Sequence, residues 1–505
     1  MMRAQMPKAT FLDRVVAVVA PERANRRMIA RMRLQMAEQF RGASMSRLRN
    51  NWVMPSDSAT PDLYELDTLR DRCRDLNRND PVASGATETM GLNIVGRGLK
   101  PQARIRSEYL GVTETRAREL IRQAEMIWQD WTPRADAGNR LNFDEIQFVA
   151  LRKIIEDGEI LALPVMGTEP WRDIRRCIEL IEAHRLCGDN LDGTGIKKGK
   201  RGEPVSYSIR KADSMDTVKI SAMDKNGRPK ILHVFHTKRP GQSRGYPFFS
   251  PVIGYFKDLA DYLEAEVVAA RVAACLAVFV TKQDAYTTAF NISTGSDASG
   301  NRIQEIEPGL VGYLEPGESI NVVDPKRPGD TFPSFVETIL RHIGIALNMP
   351  YEILVKDFSK TNYSSARAAL LEGRRMFTTW RNWFAQKFCQ PVYDLVLEEA
   401  YLRGMFEAPD FYEKRSEYTR CAWIGGGWGW VDPVKEVEAS RKAIDYGLST
   451  LAEEAAGQGR DWEEVLEQIK REQDKADELG VRVSGSGKLE DKGDTDNADT
   501  PKRRE

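Results

Sequence analysis

Few residues in this chain stand where they could do covalent chemistry. Glu156, Asp157 and Glu159 crowd around Gly158. A metal-dependent nuclease holds two cations with carboxylates of this kind, but no DxD, ExK or paired-histidine partner follows at a useful spacing. The plainer reading is a turn between a helix and a strand. His233 and His236 sit three apart on a predicted strand, so they point to opposite faces and cannot share an ion. His184 stands alone. The run Gly425-Gly426-Gly427-Trp428-Gly429-Trp430 is glycine-rich, yet no Lys-Ser or Lys-Thr follows it, as a phosphate loop requires. No G-x-S-x-G elbow occurs. These residues predict no catalysis, no metal and no cofactor.

Nucleic-acid binding fits the residues better. From Leu340 to Phe377 the pattern reads as helix, stop, polar loop and second helix. Ile339, Ile343 and Leu347 recur at helical spacing, and Pro350 forbids continuation. The loop Lys356, Asp357, Phe358, Ser359, Lys360, Thr361, Asn362 and Tyr363 carries two aromatics, which is unusual for a connector. Ser364 or Ser365 is placed to cap the next helix. Lys356 and Lys360 with Phe358 and Tyr363 offer charge and stacking together, and Arg374, Arg375 and Arg381 add charge beyond them, the combination that single-strand binders use.

Composition restrains that reading. Lys+Arg number 74 against Asp+Glu 75, a net charge of −1. A tight sequence-specific DNA binder is far more basic, whereas a channel in which DNA slides needs weak contacts. A chain of 505 residues can form two or three domains. Its six cysteines are scattered without a CxxC pair, which suggests reduced thiols. The longest apolar run, Val272 to Val280, is too short to span a bilayer, so a membrane role is not expected.

The elements around these residues follow from periodicity. Asp62 to Asn79 is helical, with Leu63, Leu66, Leu69, Cys73 and Leu76 on one face; Asn79-Asp80-Pro81 stops it, and another helix runs from Val82 to Val95. Thr113 to Trp131 and Phe143 to Ile155 are amphipathic helices. Strand-like runs then appear at 160–165, 178–181, 205–209 and 231–236, giving an α+β domain. Phe249 to Val280 reads as one long helix. Its small residues, among them Ala269, Ala270, Ala273 and Ala274, allow close packing, either in a core or between copies. Residues 281–331 are turn-rich, with short strands expected at 310–314 and 320–323. Helices return at Phe332 to Asn348, Ser364 to Gly404 and Trp462 to Leu479. The first fifty residues are strongly basic and read as a solvated arm that favours nucleic acid or an acidic partner. The tail from Val483 has almost no apolar residue and is expected to be disordered.

Three stretches also resemble one known family, in that family's order: HTKRPGQSRGYP at 236–247, MPYEILVKDFSKTNYSSARAALLE at 349–372, and Trp423-Ile424-Gly425 followed by Val431 to Glu436, Ala439 and Asp445 to Thr450. Over roughly residues 50 to 480 the chain resembles the lambda-type portal proteins of tailed bacteriophages. The resemblance implies a portal fold: a basic N-terminal arm (1–50) open to processing, an α+β wing (51–248), a stem helix (249–280), a clip (281–331), a second stem helix (332–348), a channel loop (349–364), a long helix with wing return and helical crown (365–482), and a tail (483–505). It implies a homo-oligomeric ring, a dodecamer, at one capsid vertex of the virion, assembled in the host cytoplasm. Residues 356–363 would face double-stranded DNA, and Ala269, Ala270, Ala273 and Ala274 would pack the stem. The implied partners are the terminase large subunit, the major capsid and scaffold proteins and a head-completion adaptor. No enzymatic activity is implied. A free-standing nucleic-acid-binding module is the alternative.

Overall fold

The computed structural model describes residues 60–187, 193–214, 216–274, 278–282, 295–296, 302–303, 318–322 and 332–481. The chain divides into two units, Met1–Asp62 and Leu63–Glu505. The basic arm, the tail from Val483 and the expected strand at 310–314 lie outside the described residues. The second unit is α+β in architecture.

Helix α1 (Thr60–Asn79) buries Leu66 and Cys73 and half-buries Leu69 and Leu76, as the spacing predicts. Asp80 then caps α2 (Pro81–Ile94), accepting the Val82 and Ala83 N–H groups at 2.9 and 2.8 Å, with Pro81 at the first position where no donor is needed. A strand β1 (Lys100–Ala103) precedes α3 (Glu114–Trp131), and α4 (Phe143–Asp157) opens on a reciprocal cap between Asn142 and Glu145. Trp128 and Trp131 of α3 meet Phe143 of α4 at ring separations of 4.9 and 5.1 Å, the aromatic centre of the main core.

Six strands follow: β2 (Glu159–Met166), β3 (Arg176–Glu182), β4 (Ile196–Lys198), β5 (Pro204–Arg210), β6 (Thr217–Ser221) and β7 (Leu232–Phe235). They form two antiparallel sheets in the orders β3-β2-β7 and β4-β5-β6. A small second core of Leu161, Ile181, Leu186, Ile196, Tyr207 and Ile209 joins them.

The long helix expected at 249–280 is shorter. Helix α5 covers Ile253–Ala274, and Val278–Lys282 is a strand, β8, paired antiparallel with β9 (Glu318–Val322). The run Val272 to Val280 is apolar and β-branched enough to suit either state, and cross-strand partners decide for sheet at its end. Next come α6 (Phe332–Ala346), a one-turn α7 (Tyr351–Val355) and α8 (Tyr363–Phe384), which continues through a π-turn at Ala385–Cys389 into α9 (Gln390–Leu402). Strand β10 (Cys421–Ile424) returns to pair antiparallel with β1, Ala103 opposite Cys421. Helices α10 (Pro433–Asp445), α11 (Leu451–Gly457) and α12 (Trp462–Leu479) end the described chain.

Candidate functional site

Three stretches singled out in the sequence occupy three structural roles. In the first, Ile353 and Leu354 bury α7, and Lys356 ends it in the left-handed region (φ 60°, ψ 30°), uncommon for a side-chain-bearing residue. The turn after it closes on itself. Asp357 Oδ1 accepts the Ser359 N–H at 2.9 Å, and the Phe358 carbonyl accepts both the N–H and the hydroxyl of Thr361 at 3.2 and 2.9 Å. Asn362 Oδ1 accepts the Ser365 N–H at 2.8 Å and caps α8. Neither Ser364 nor Ser365 is the cap: Asn362 is the residue with extended backbone (φ −80°, ψ 167°), and both serines are already helical. Lys356, Phe358, Ser359, Lys360, Asn362 and Tyr363 are exposed, while Asp357 and Thr361 are partly covered.

The loop's charge is only partly free. Lys360 Nζ lies 3.1 Å from Glu337 Oε2 on α6, and that hydrogen bond raises the Lys360 ammonium as it lowers the Glu337 carboxyl. Asp357 is lowered by its hydrogen bonds to Ser359. Lys435 Nζ stands 5.9 Å over the Tyr363 ring. Of the three arginines expected to extend the basic surface, two are structural ties. Arg381 donates to the carbonyls of Ile94, Asn93 and Gly426 at 3.0, 2.7 and 3.1 Å, stacks on Trp428 at 4.6 Å, and is lowered by burial. Arg374 donates to Gly429 O at 2.8 Å. Only Arg375 of the three is well exposed, at 79%, and it pairs with Glu372 at 3.1 Å.

Helices α5 and α6 form the second feature. Tyr262 meets Phe332 and Phe335 at 5.5 and 4.9 Å, whereas Tyr255 meets His342 at 5.9 Å, so the two helices run antiparallel. Phe256, Leu259, Ile339, Leu340 and Ile343 are buried. Leu263, Val267, Val268, Phe335 and Ile345 are left between 40% and 77% exposed. Ala270 is exposed and Ala269 half-buried; the side chains at 273 and 274 lie outside the described set.

The third feature is the segment 236–247, and sequence reasoning missed its role. Glu159, fully buried, receives Arg70 NH2 at 2.7 Å, Arg244 NH2 at 2.6 Å and the Gly245 N–H at 2.7 Å, with His233 Nε2 at 2.9 Å. Arg244 also donates to the carbonyls of Leu186, Thr194 and Ala183. Burial works to raise the Glu159 carboxyl, but Arg244, His233 and Arg70 overcome it and hold it well below the usual carboxylate range. Gly158 turns with φ 88°, and a Cβ there would strike the Tyr246 backbone; one on Gly245 would strike the Gly158 carbonyl. The carboxylates weighed as a metal site are therefore engaged. Asp157 takes both Arg74 nitrogens at 2.7 and 2.9 Å, and Glu156 pairs with Lys153 at 2.8 Å. His233 and His236 have separate partners, since β7 ends at Phe235 and His236 stacks on Trp380. The available signal was Arg70, a lone cation on the apolar face of α1.

A sequence model of the family described as "Phage portal protein, lambda family" matches residues 45–381. The chain is 26% identical over 460 residues to portal protein B of Escherichia phage lambda, covering 84% of this chain and 86% of that protein. It is 25% identical over 459 residues to the portal protein of Escherichia phage N15, covering 83% and 87%. Among solved structures, the neck of a native GTA particle computed with C12 symmetry aligns with a TM-score of 0.41 at 13% identity, over 82% of this chain and 94% of that one.

Proposed function

Because this chain belongs to the lambda family of phage portal proteins, we propose that it forms a dodecameric ring at one capsid vertex and serves as the conduit for genome packaging and ejection. The observation that carries this reading is the α5–α6 pair. It buries Phe256, Leu259, Ile339 and Ile343 toward one end and leaves Val267, Val268 and Phe335 about half exposed toward the other, and such apolar surface calls for a neighbour. Copies set side by side around an axis supply it. The pair acts as stem, with the wing before it, and the β8–β9 insertion at its far end (281–331) is the clip that meets the terminase large subunit and later the head-completion adaptor. At its near end residues 356–363 line the channel. Their engaged lysine and closed turn suit loose contact with sliding double-stranded DNA better than tight binding, which disfavours a free-standing nucleic-acid-binding module. The chain carries out no reaction of its own in this reading; ATP hydrolysis falls to the motor. The major capsid and scaffold proteins surround the ring, which is assembled in the host cytoplasm.

Negative-stain imaging and light scattering of the purified chain test it. Annular particles with an axial hole are expected, and Ala270→Trp, a change on an exposed protomer face, should abolish them while leaving the protomer folded. A wild-type monomer, or intact rings from the variant, would refute the assignment of this face.

A further inference from the structure

Helix α12 is amphipathic, and the protein half-buries Trp462, Val465 and Ala476 but leaves the rest of its apolar stripe open. Trp462, Val465, Leu466, Ile469, Ala476 and Leu479 recur at helical spacing. No side chain of α10, α11 or α12 is buried among the described residues. Leu466, Ile469 and Leu479 are 44%, 43% and 63% exposed.

Charge says what chemistry can cover the stripe. The helix carries seven carboxylates and three cations. Arg471 is paired to Glu467 at 3.7 Å and Lys475 to Glu478 at 2.7 Å. Glu463, Glu464, Glu472, Asp474 and Asp477 have no cationic partner among the described residues. By helical periodicity Asp477, Glu463 and Asp474 border the stripe on one side, with Lys470 the one cation among them, and Glu472 lies within it between Leu479 and Val465. A neighbouring group registers this field: burial, then Asp461, Glu463 and Glu464, push the Glu125 carboxyl up to about 7.

We propose that α12 is the docking face for a basic amphipathic helix of another protein, one that sets apolar side chains at helical spacing between rows of lysine or arginine. Such a helix fills the stripe and neutralises its borders together. A second copy of α12 is disfavoured, since like-charged borders would face each other. The inference goes beyond the ring reading, because it requires neither a channel nor DNA.

The test uses the full chain and a labelled peptide of leucine and lysine arranged with helical period, with a leucine–glutamate peptide as control, read by fluorescence anisotropy. The lysine peptide should bind and the glutamate peptide should not. Leu466→Asp with Ile469→Asp should weaken binding roughly tenfold or more. Glu463→Lys, Asp474→Lys and Asp477→Lys together should transfer preference to the glutamate peptide. All five positions are exposed, so helical circular dichroism should be retained. No binding of the lysine peptide, equal binding by the variants, or dissociation of the oligomer by the Leu466/Ile469 variant would each overturn the proposal, the last by assigning the face to a second copy.

Discussion

Replacing Glu159 with glutamine keeps the shape of the side chain and removes its charge. Arg70 and Arg244, with side chains 2% and 4% exposed, would then face an amide that accepts at one oxygen only. Removing one partner of a buried ion pair costs about 3–5 kcal/mol, because the remaining charge is left uncompensated. The cost should appear locally. The Gly245 amide donates to Glu159 Oε2 at 2.7 Å and the Phe248 amide to the Ile155 carbonyl at 2.9 Å, so both exchange hydrogen only when the segment leading into α5 lifts away. A loss of that size should speed their exchange by roughly two to four orders of magnitude. The pH dependence has a fixed sign. The folded carboxyl lies below its unfolded value, so its contribution is complete above the unfolded carboxylate range and is lost as pH falls through the depressed folded value. The gap between wild type and variant should therefore be flat from about pH 6 to 8 and close only in acid. Arg471→Ala, on an exposed pair, is the control and should change nothing at Gly245. Exchange at Gly245 and Phe248 within a factor of about ten of wild type would refute the reasoning.

Gly158→Ala should destabilise by more than about 1–3 kcal/mol, the usual cost of a strained left-handed residue, since its Cβ also meets the Tyr246 backbone; a wild-type denaturation midpoint would count against the close contact. Glu125→Gln should stabilise at alkaline pH. The folded carboxyl is raised to about 7, so its contribution is intact below the unfolded value and lost as pH rises toward 7. Discounted for partial exposure, the variant should gain about 2 kcal/mol at pH 8 and nothing near pH 4 by thermal melting, and an equal gain at both would contradict the shift. Lys356→Ala with Lys360→Ala should leave rings intact by light scattering and alter packaging or genome retention; unchanged packaging and retention would remove the loop from the channel.

The elements were legible where one face repeats. Leu66 and Cys73 on α1, and the asparagine and glutamate opening α4, carry their geometry locally. The end of the apolar run, 278–280, did not, because its conformation is set by β9 some forty residues later. The loop cap was misplaced by the short step from Asn362 to Ser364, a matter of which residue leaves the helix first. The Glu159 cluster was hard to read for a different reason. Its partners lie 89 and 85 positions away, one on α1 and one in the segment before α5, and only Arg70, set on an apolar face, departs from an ordinary surface charge. The same holds for Arg381, whose spacing fits a basic surface but whose partners, the carbonyls of Asn93 and Ile94, lie 288 and 287 positions earlier.

The pairing of β1 with β10 bears on how the chain is made. Lys100–Ala103 waits for Cys421–Ile424, about 320 positions later. Closing so long a loop costs little more than closing one of half the length, roughly 0.6 kcal/mol, but it is slow, and it cannot happen until the later strand has left the ribosome. A chain broken before Cys421 keeps the β1 edge unpaired, however well α2, α3 and α4 have packed. Such an edge is the kind of surface that proteolysis and chaperones act on. Completion of the last sixth thus acts as a proofreading step, since only chains that extend through Ile424 close this pairing.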